Sequence, residues 1–391
     1  MDPARGFKRH VIVEQMANGS GRSRLRVGVH VGQLMQRVPG GIGRVTELLC
    51  AELPEHADVV AFSSCPRRAG GAFDPRLDHR VQFRSLGPGA PQWRYELWHR
   101  YRRPRIDLPV DVCHAPSLAV PPTSAPLVVT VNDVVFLRHP DTSTPHGVRF
   151  HERGLEIARR EAAAIIVPSE FTGDELVREG FDRARIHCVP PSVRAPERLP
   201  TESTCARLHR RGVRGPYIFA AGTIEPRKDH ATLVAAFERV RARHPDLTLV
   251  IAGAAGWLPK KAAYDLERPG VVVLGLVSDD ELDLLYRRAE VVVSASIYEG
   301  FGLPVLEALV RGRPVIASAI PSHVELVDDA ARLVPPGDVD ALAAEITALV
   351  DDPDARADLS RAARDRARHF DVASTIAGHL AVYERAVSGG S

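Results

Sequence analysis

Two carboxylates, Glu299 and Glu307, flank a glycine-containing turn in the stretch Tyr298-Glu299-Gly300-Phe301-Gly302-Leu303-Pro304-Val305-Leu306-Glu307. A carboxylate can accept a pair of hydroxyl hydrogen bonds, which is how a protein grips a sugar or a ribose. Val291-Val292-Val293 ahead of the turn reads as a buried strand. Residues 305–310 behind it read as a helix, with Pro304 at a first-turn position that needs no N–H. The free amides of Gly302 and Leu303, beside Phe301, then point out of a helix N-terminus, a seat for phosphate. The plain alternative is a strand, a turn and a helix carrying two surface acids.

Cations suited to the same ligand lie earlier, in Gly222-Thr223-Ile224-Glu225-Pro226-Arg227-Lys228, a loop after a strand over 217–221. Arg227 offers a forked contact and Lys228 a point charge, a pairing that suits a diphosphate, although adjacent cations are usually a solvated pair. A second glycine-bearing loop, Pro39-Gly40-Gly41-Ile42-Gly43-Arg44, follows the strand Leu25-Arg26-Val27-Gly28-Val29-His30-Val31 and precedes helical spacing over 45–53. Such a turn either lets backbone approach a phosphate or is simply flexible. It is no dinucleotide fingerprint, because Thr46 stands where Gly41-x-Gly43 needs a third glycine. His114, Asn132 and Asp133 end two further strands, where ligands of parallel sheets sit. For His114 a buried structural role is equally open. Asp338-Val339-Asp340 has the look of a metal-binding pair, but it opens a helix, where Asp338 is better read as an N-cap. No His, Cys and acid cluster elsewhere has metal-ligand spacing, so no metal and no cofactor is expected.

The elements that must position these groups alternate strand and helix in two runs, which predicts an α/β chain of two doubly wound halves. The 391 residues suffice for two or three domains, and the 45% hydrophobic content is ordinary for a soluble globular protein. The Pro-rich segment from Pro190-Pro191-Ser192 to Pro200 reads as the linker. The predicted organisation is a polar, disordered leader over 1–24, a first domain over 25–195, a second over 196–370, and a last helix over 371–391. A net charge of +2 gives no reason to expect nucleic acid. Five scattered cysteines, none at C-x-x-C spacing, predict reduced thiols and a cytoplasmic setting. No apolar run is long enough to span a membrane. Within 88–105, Trp93, Leu97 and Tyr101 recur every four residues among arginines that include Arg94, Arg100 and Arg105. This is a core-packing helix with a solvated basic face, or else a helix for an anionic membrane or an acceptor.

The stretch 298–307 closely resembles the E-x7-E motif of retaining glycosyltransferases of family 4, and the resemblance extends over roughly residues 25 to 388. It implies the GT-B fold: two Rossmann-like domains facing a cleft, with the C-terminal helix crossing back to the first. It implies a sugar-nucleotide donor, with Glu307 on the ribose, Glu299 on the transferred sugar, and Arg227 and Lys228 on the diphosphate. The loops with Gly222 and with Gly41 and Gly43 resemble the family's phosphate-side loops, and Glu325 matches an acid near the nucleotide. Family members usually have His-Asp after the strand over 127–131. Asn132 stands here instead, and it can hydrogen-bond a hydroxyl but not share a proton. The loop 222–228 looks most like that of bacterial mannosyltransferases of surface polysaccharides, so GDP-mannose is the leading donor, with UDP-sugars close behind. The acceptor is expected to be a glycan or a lipid-linked hydroxyl; a lipid-linked acceptor would make 93–105 a candidate peripheral contact to the inner membrane face. Other readings are a non-catalytic GT-B partner subunit, a sugar-nucleotide epimerase, or a pyridoxal-phosphate phosphorylase. The last lacks a candidate Schiff-base lysine, since Lys260-Lys261 reads as solvent-facing.

Overall fold

The structure, a computed structural model, describes residues 24–36, 38–65, 77–88, 91–256, 266 and 268–389. The predicted leader up to residue 23, Trp257 and the Lys260-Lys261 pair lie outside the described residues. Short runs of Val, Ile and Ala too apolar to face water on either side form two parallel sheets. The first has seven strands in the order β3-β2-β1-β4-β5-β6-β7. These are β1 Arg26–His30, β2 Asp58–Cys65, β3 Gln82–Pro88, β4 Val112–Ala115, β5 Leu127–Thr130, β6 Ala164–Val167 and β7 Ile186–Cys188. The second has six strands in the order β10-β9-β8-β11-β12-β13. These are β8 Tyr217–Ala221, β9 Thr248–Ala252, β10 Val271–Gly275, β11 Val291–Ser294, β12 Val315–Ser318 and β13 Arg332–Val334. Strand β3 went unread in the sequence, and it is an edge strand whose Gln82, Arg84 and Ser85 are exposed.

The helices of the first half are α1 Gly40–Glu52, α2 Pro91–Tyr101, α3 Val135–Arg138, α4 Pro145–Glu161 and α5 Glu170–Arg178. Those described after them are α6 Glu202–Arg210, α7 His230–Arg241, α8 Asp279–Arg288, α9 Leu303–Val310, α10 Pro321–Val327, α11 Val339–Asp351, α12 Pro353–Ala367 and α13 Val372–Ser388. Their starts are set by local chemistry. Ser169 caps α5 by accepting from the Thr172 amide at 3.1 Å, and Ser278 with Glu281 forms a capping box at α8. Asp338 accepts from the Ala341 amide at 2.9 Å and is the α11 cap, while Asp340 pairs with Arg239.

Helix α13 crosses back onto the first sheet. The Tyr383 hydroxyl meets His114 Nδ1 at 2.9 Å, and Thr375 donates to the Pro190 carbonyl at 2.9 Å. His114 Nε2 meets the Thr130 hydroxyl at 2.8 Å, so this histidine is a buried joint of the fold and not a ligand. Helix α2 corrects the predicted packing. Tyr95, Trp98 and His99 enter the core, whereas the Trp93, Leu97 and Tyr101 stripe faces outward, with Trp93 78% exposed. The described thiols of Cys50, Cys113, Cys188 and Cys205 are unpaired.

Candidate active site

In both sheets the strand order reverses direction at one place, and ligands of open α/β sheets bind outside the carboxyl ends of strands there. In the second sheet that place lies between β8 and β11. The loop 222–228 leaves β8 and the turn 295–302 leaves β11, so both predicted C-terminal motifs straddle one crevice. In the first sheet the corresponding strands are β1 and β4, and Gly41 and Gly43 follow β1. They differ from expectation in form. Helix α1 already begins at Gly40, so both glycines occupy its first turns, not a free loop.

Glu299 is buried between the two cations that the sequence placed together. Lys228 Nζ donates to Glu299 Oε1 at 2.6 Å, Ser296 Oγ donates to the same oxygen at 2.7 Å, and an Arg227 guanidinium nitrogen bonds Oε2. Burial pushes the Glu299 carboxyl up, but Arg227 and then Lys228 outweigh it and hold the group well below the usual carboxylate range. Arg227 in turn pairs with Glu225 Oε1 at 2.5 Å and donates to the Tyr298 carbonyl at 3.2 Å. Burial disfavours its charge, and Glu299, Glu225 and Asp133 together restore it. A carboxylate has about four lone-pair positions. Three at Glu299 are taken, so one remains for a ligand hydroxyl, not the pair first expected.

Glu307 is also buried. The Tyr286 hydroxyl donates to Oε2 at 2.6 Å, and Arg44, arriving from the other domain on α1, bonds Oε1. Burial and the Glu307 charge push the Tyr286 phenol well above its ordinary value, so it stays a donor. Arg44 and Tyr286 were not singled out from sequence.

The turn between the acids is assembled by both domains. The Gly300 carbonyl accepts from Ser169 Oγ at 2.6 Å and from Thr172 Oγ1 at 3.1 Å, both on the β6–α5 junction. A Cβ on Gly300 would lie 1.8 Å from the Asn132 carbonyl oxygen, so only glycine fits between the domains here. Gly302 caps α9 with φ of +109°, a conformation that favours glycine. Across the seam, a Cβ on Gly41 would come within 2.7 Å of Leu303 Cδ1. Gly222, at φ +137°, lies close under the Lys228 side chain. Phe301 is buried beneath the turn against Phe370.

Asn132 donates through Nδ2 to the Pro116 carbonyl at 3.0 Å, which leaves Oδ1 as its end able to accept a hydroxyl. Asn132 and Asp133 line a cavity of about 180 Å³ shared by the two domains, walled also by Phe136, Thr142, Glu225 and Arg227. Its mixture of apolar and hydrogen-bonding lining side chains suits a small polyhydroxylated ring. Glu325 lies elsewhere. Its two oxygens accept from the Glu170 and Phe171 amides at 2.8 and 3.1 Å, capping α5 across the domain seam. A wider hollow of about 870 Å³ between Leu208, Tyr217 and Arg288 holds none of the predicted site residues. Among the described residues no group of three or more His, Cys, Asp or Glu side chains is placed to hold a metal ion.

Comparison with known proteins gives two family matches. Residues 209–366 match the family described as Glycosyl transferases group 1, and residues 39–197 match Glycosyltransferase Family 4. The chain is 30% identical over 284 residues to the O-antigen chain mannosyltransferase B of Escherichia coli, covering 69% of this chain and 70% of that protein. It is 28% identical over 380 residues to the glycogen synthase of Mycobacterium tuberculosis, covering 84% and 87%. The fold resembles that of HepE from Anabaena, solved in complex with UDP-glucose, with a TM-score of 0.69 at 20% identity over 91% of this chain and 99% of that one.

Proposed function

The chain belongs to the group 1 glycosyltransferases of GT-B fold, and from that premise we propose that it moves a hexose from a nucleoside diphosphate sugar to a glycan or lipid-linked hydroxyl, with retention and without a metal. The observation that carries this reading is the buried Arg227, Lys228 and Glu299 cluster beside the N-terminus of α9. In sugar transfer, negative charge builds on the leaving diphosphate. Fixed cations and free amides aimed at it stabilise that charge without reorganisation.

In this reading the diphosphate rests on Arg227, Lys228 and the amides of Gly302 and Leu303. The sugar extends into the cavity shared with Asn132 and Asp133, and Glu299 takes one of its hydroxyls. Glu307 receives the ribose diol once Arg44 has moved aside. The bond from the anomeric carbon to the phosphate oxygen breaks, and the bond to the acceptor oxygen forms on the same face. The acceptor proton ends on the departing diphosphate. Asn132 has no proton to exchange, so it binds a hydroxyl through Oδ1 and leaves the base role to the phosphate.

GDP-mannose is our leading donor. The similarity to a mannosyltransferase supports it, while the likeness to a UDP-glucose complex keeps UDP-sugars as the second choice. The test is turnover of GDP-mannose and UDP-glucose in EDTA, with the product's anomeric configuration read by NMR. Retention with one donor fits the proposal, and inversion or an absolute magnesium requirement overturns it.

The outward stripe of α2 supports a peripheral membrane contact at the cytoplasmic face. Trp93, Leu97 and Tyr101 are exposed beside Arg100, Arg103 and Arg105, a pattern that suits an anionic bilayer surface. No described helix is long and apolar enough to cross a membrane. Flotation with anionic vesicles tests the contact, which predicts binding by the wild type and its loss in W93A/L97A. Unchanged binding removes it.

A further inference from the structure

A buried polar atom next to the donor seat takes no part in the chemistry above. It belongs to His323, the third residue of α10, which is fully buried. Its Nδ1 lies 3.0 Å from the Ser318 carbonyl. A carbonyl can only accept, so Nδ1 carries the hydrogen and the neutral ring presents a bare lone pair at Nε2. That atom is buried and has no hydrogen-bond partner. Burying an acceptor unpaired is costly, and a fold that keeps one there invites an explanation.

Nε2 is aimed at the cap of α9. It lies 3.0 Å from the point where a Cβ on Gly302 would stand, and ring carbon Cδ2 lies 2.8 Å from it. Only glycine at 302 leaves the imidazole this place under the turn. The charged groups that face the ring are Glu299 from the turn after β11, and Lys228 and Arg227 from the loop after β8. Burial lowers the imidazole to about 4. Glu299 and the Ser318 carbonyl oppose that shift, and Lys228 and Arg227 reinforce it. In the free enzyme the ring is therefore neutral near pH 7. An anion seated on Lys228, Arg227 and the α9 amides reverses the local balance, since it offsets the two cations that keep the proton away.

We propose that His323 is a phosphate-binding residue of the donor site, which takes up one solvent proton at Nε2 as a nucleoside diphosphate seats on the α9 N-terminus and then donates that N–H to a phosphate oxygen. The inference rests on the donor site described above. Its consequence is a donor affinity linked to pH through one proton. The proton is lost again when the diphosphate leaves, so the step balances over a turnover. His323 thereby contributes to discrimination between a charged diphosphate and a bare nucleoside.

The test is calorimetric titration of GDP and of UDP into the full chain at pH 7.5, in two buffers of different ionisation enthalpy, which counts the protons taken up. We expect the better-binding nucleotide to bring close to one proton into the wild type and none into H323Q. The Gln amide can still donate at the Nε2 position, so H323Q keeps its affinity within a few-fold and loses the pH dependence. H323L, with no donor, binds about ten- to a hundred-fold more weakly. Thermal melts of both variants establish that they fold. Should H323L fail to fold, the proton count of the wild type against H323Q decides alone. Wild-type binding with no proton uptake, or an equal uptake in H323Q, overturns the role of His323 and leaves the donor site standing. No nucleotide binding by the wild type overturns both.

Discussion

Replacing Glu299 with Gln separates nucleotide binding from sugar transfer. Arg227 and Lys228 supply two positive charges to the buried cluster, and Glu225 and Glu299 supply two negative ones, so it is neutral as folded. The E299Q substitution leaves it with one excess positive charge. Losing one partner of a buried ion pair costs about 3–5 kcal/mol in the worst case. Here Arg227 keeps Glu225 and the new amide carbonyl still accepts from Lys228, so a loss of about 2 kcal/mol and a few degrees of melting temperature is expected. The sugar loses its one hydrogen bond to a charged acceptor, worth about 1.5–3 kcal/mol, which predicts a roughly 10- to 150-fold fall in kcat/KM. The nucleoside diphosphate meets more positive charge than before, so its affinity holds or rises. The assay pairs initial rates of transfer with calorimetric titration of the free diphosphate. Turnover within twofold of the wild type would refute the role of Glu299 in holding the sugar. A parallel tenfold loss of diphosphate affinity would refute the charge argument.

Other outcomes follow from contacts between the domains. R44A frees Glu307 from a partly exposed ion pair, and calorimetry is expected to show diphosphate binding unchanged or up to about fivefold tighter. A tenfold loss would instead make Arg44 a ligand. E325A removes the acceptor for two α5 amides and is expected to cost about 1 kcal/mol in urea unfolding with nucleotide affinity unaltered. A selective loss of affinity would return Glu325 to the nucleotide site. The pH dependence of stability has two windows. Burial lowers His379 and His323 to about 4, and holds His114 well below its ordinary value. The unfolded chain therefore binds more protons between about pH 6.5 and 4, and stability falls as pH drops through that range, by up to about 3 kcal/mol each for His379 and His323, with His114 adding in the same direction. Glu299 has a depressed folded value, so its contribution is present above about pH 4.5 and is lost only below that. Urea midpoints at pH 7.5, 6 and 5 check the first window, and equal midpoints would contradict it.

The parts of the site that lie along one strand–turn–helix were legible from sequence. Val291 to Val293, Gly302 and Pro304 each favour the same local structure, and that structure brings Glu299 to the cations after β8. What depends on contact between the two domains was not legible. Nothing in the spacing around Arg44 announces that it reaches Glu307, because that contact exists only once α1 faces α9 across the seam. The position of Glu325 near the crevice was readable, but the side it faces is set by how α10 meets α5. For α2, the interval of four residues marked a face without saying which way it points. Tyr95 and Trp98, on the opposite face, fill the core and turn Trp93 outward. Glycine's low helix propensity hid the start of α1 at Gly40, and the polar residues of β3 hid an edge strand that has water on one side.

The central claim is that a nucleoside diphosphate binds the crevice of the second domain on fixed cations and amides, without a metal. Thermal unfolding with GDP, UDP, ADP and dTDP, each in magnesium and in EDTA, tests it most directly, because a ligand that binds only the folded state raises the melting temperature by mass action. The account predicts that one nucleotide stands out, GDP first and UDP second, with the same shift in both solutions. A shift that needs magnesium, or none with any of the four, would contradict it.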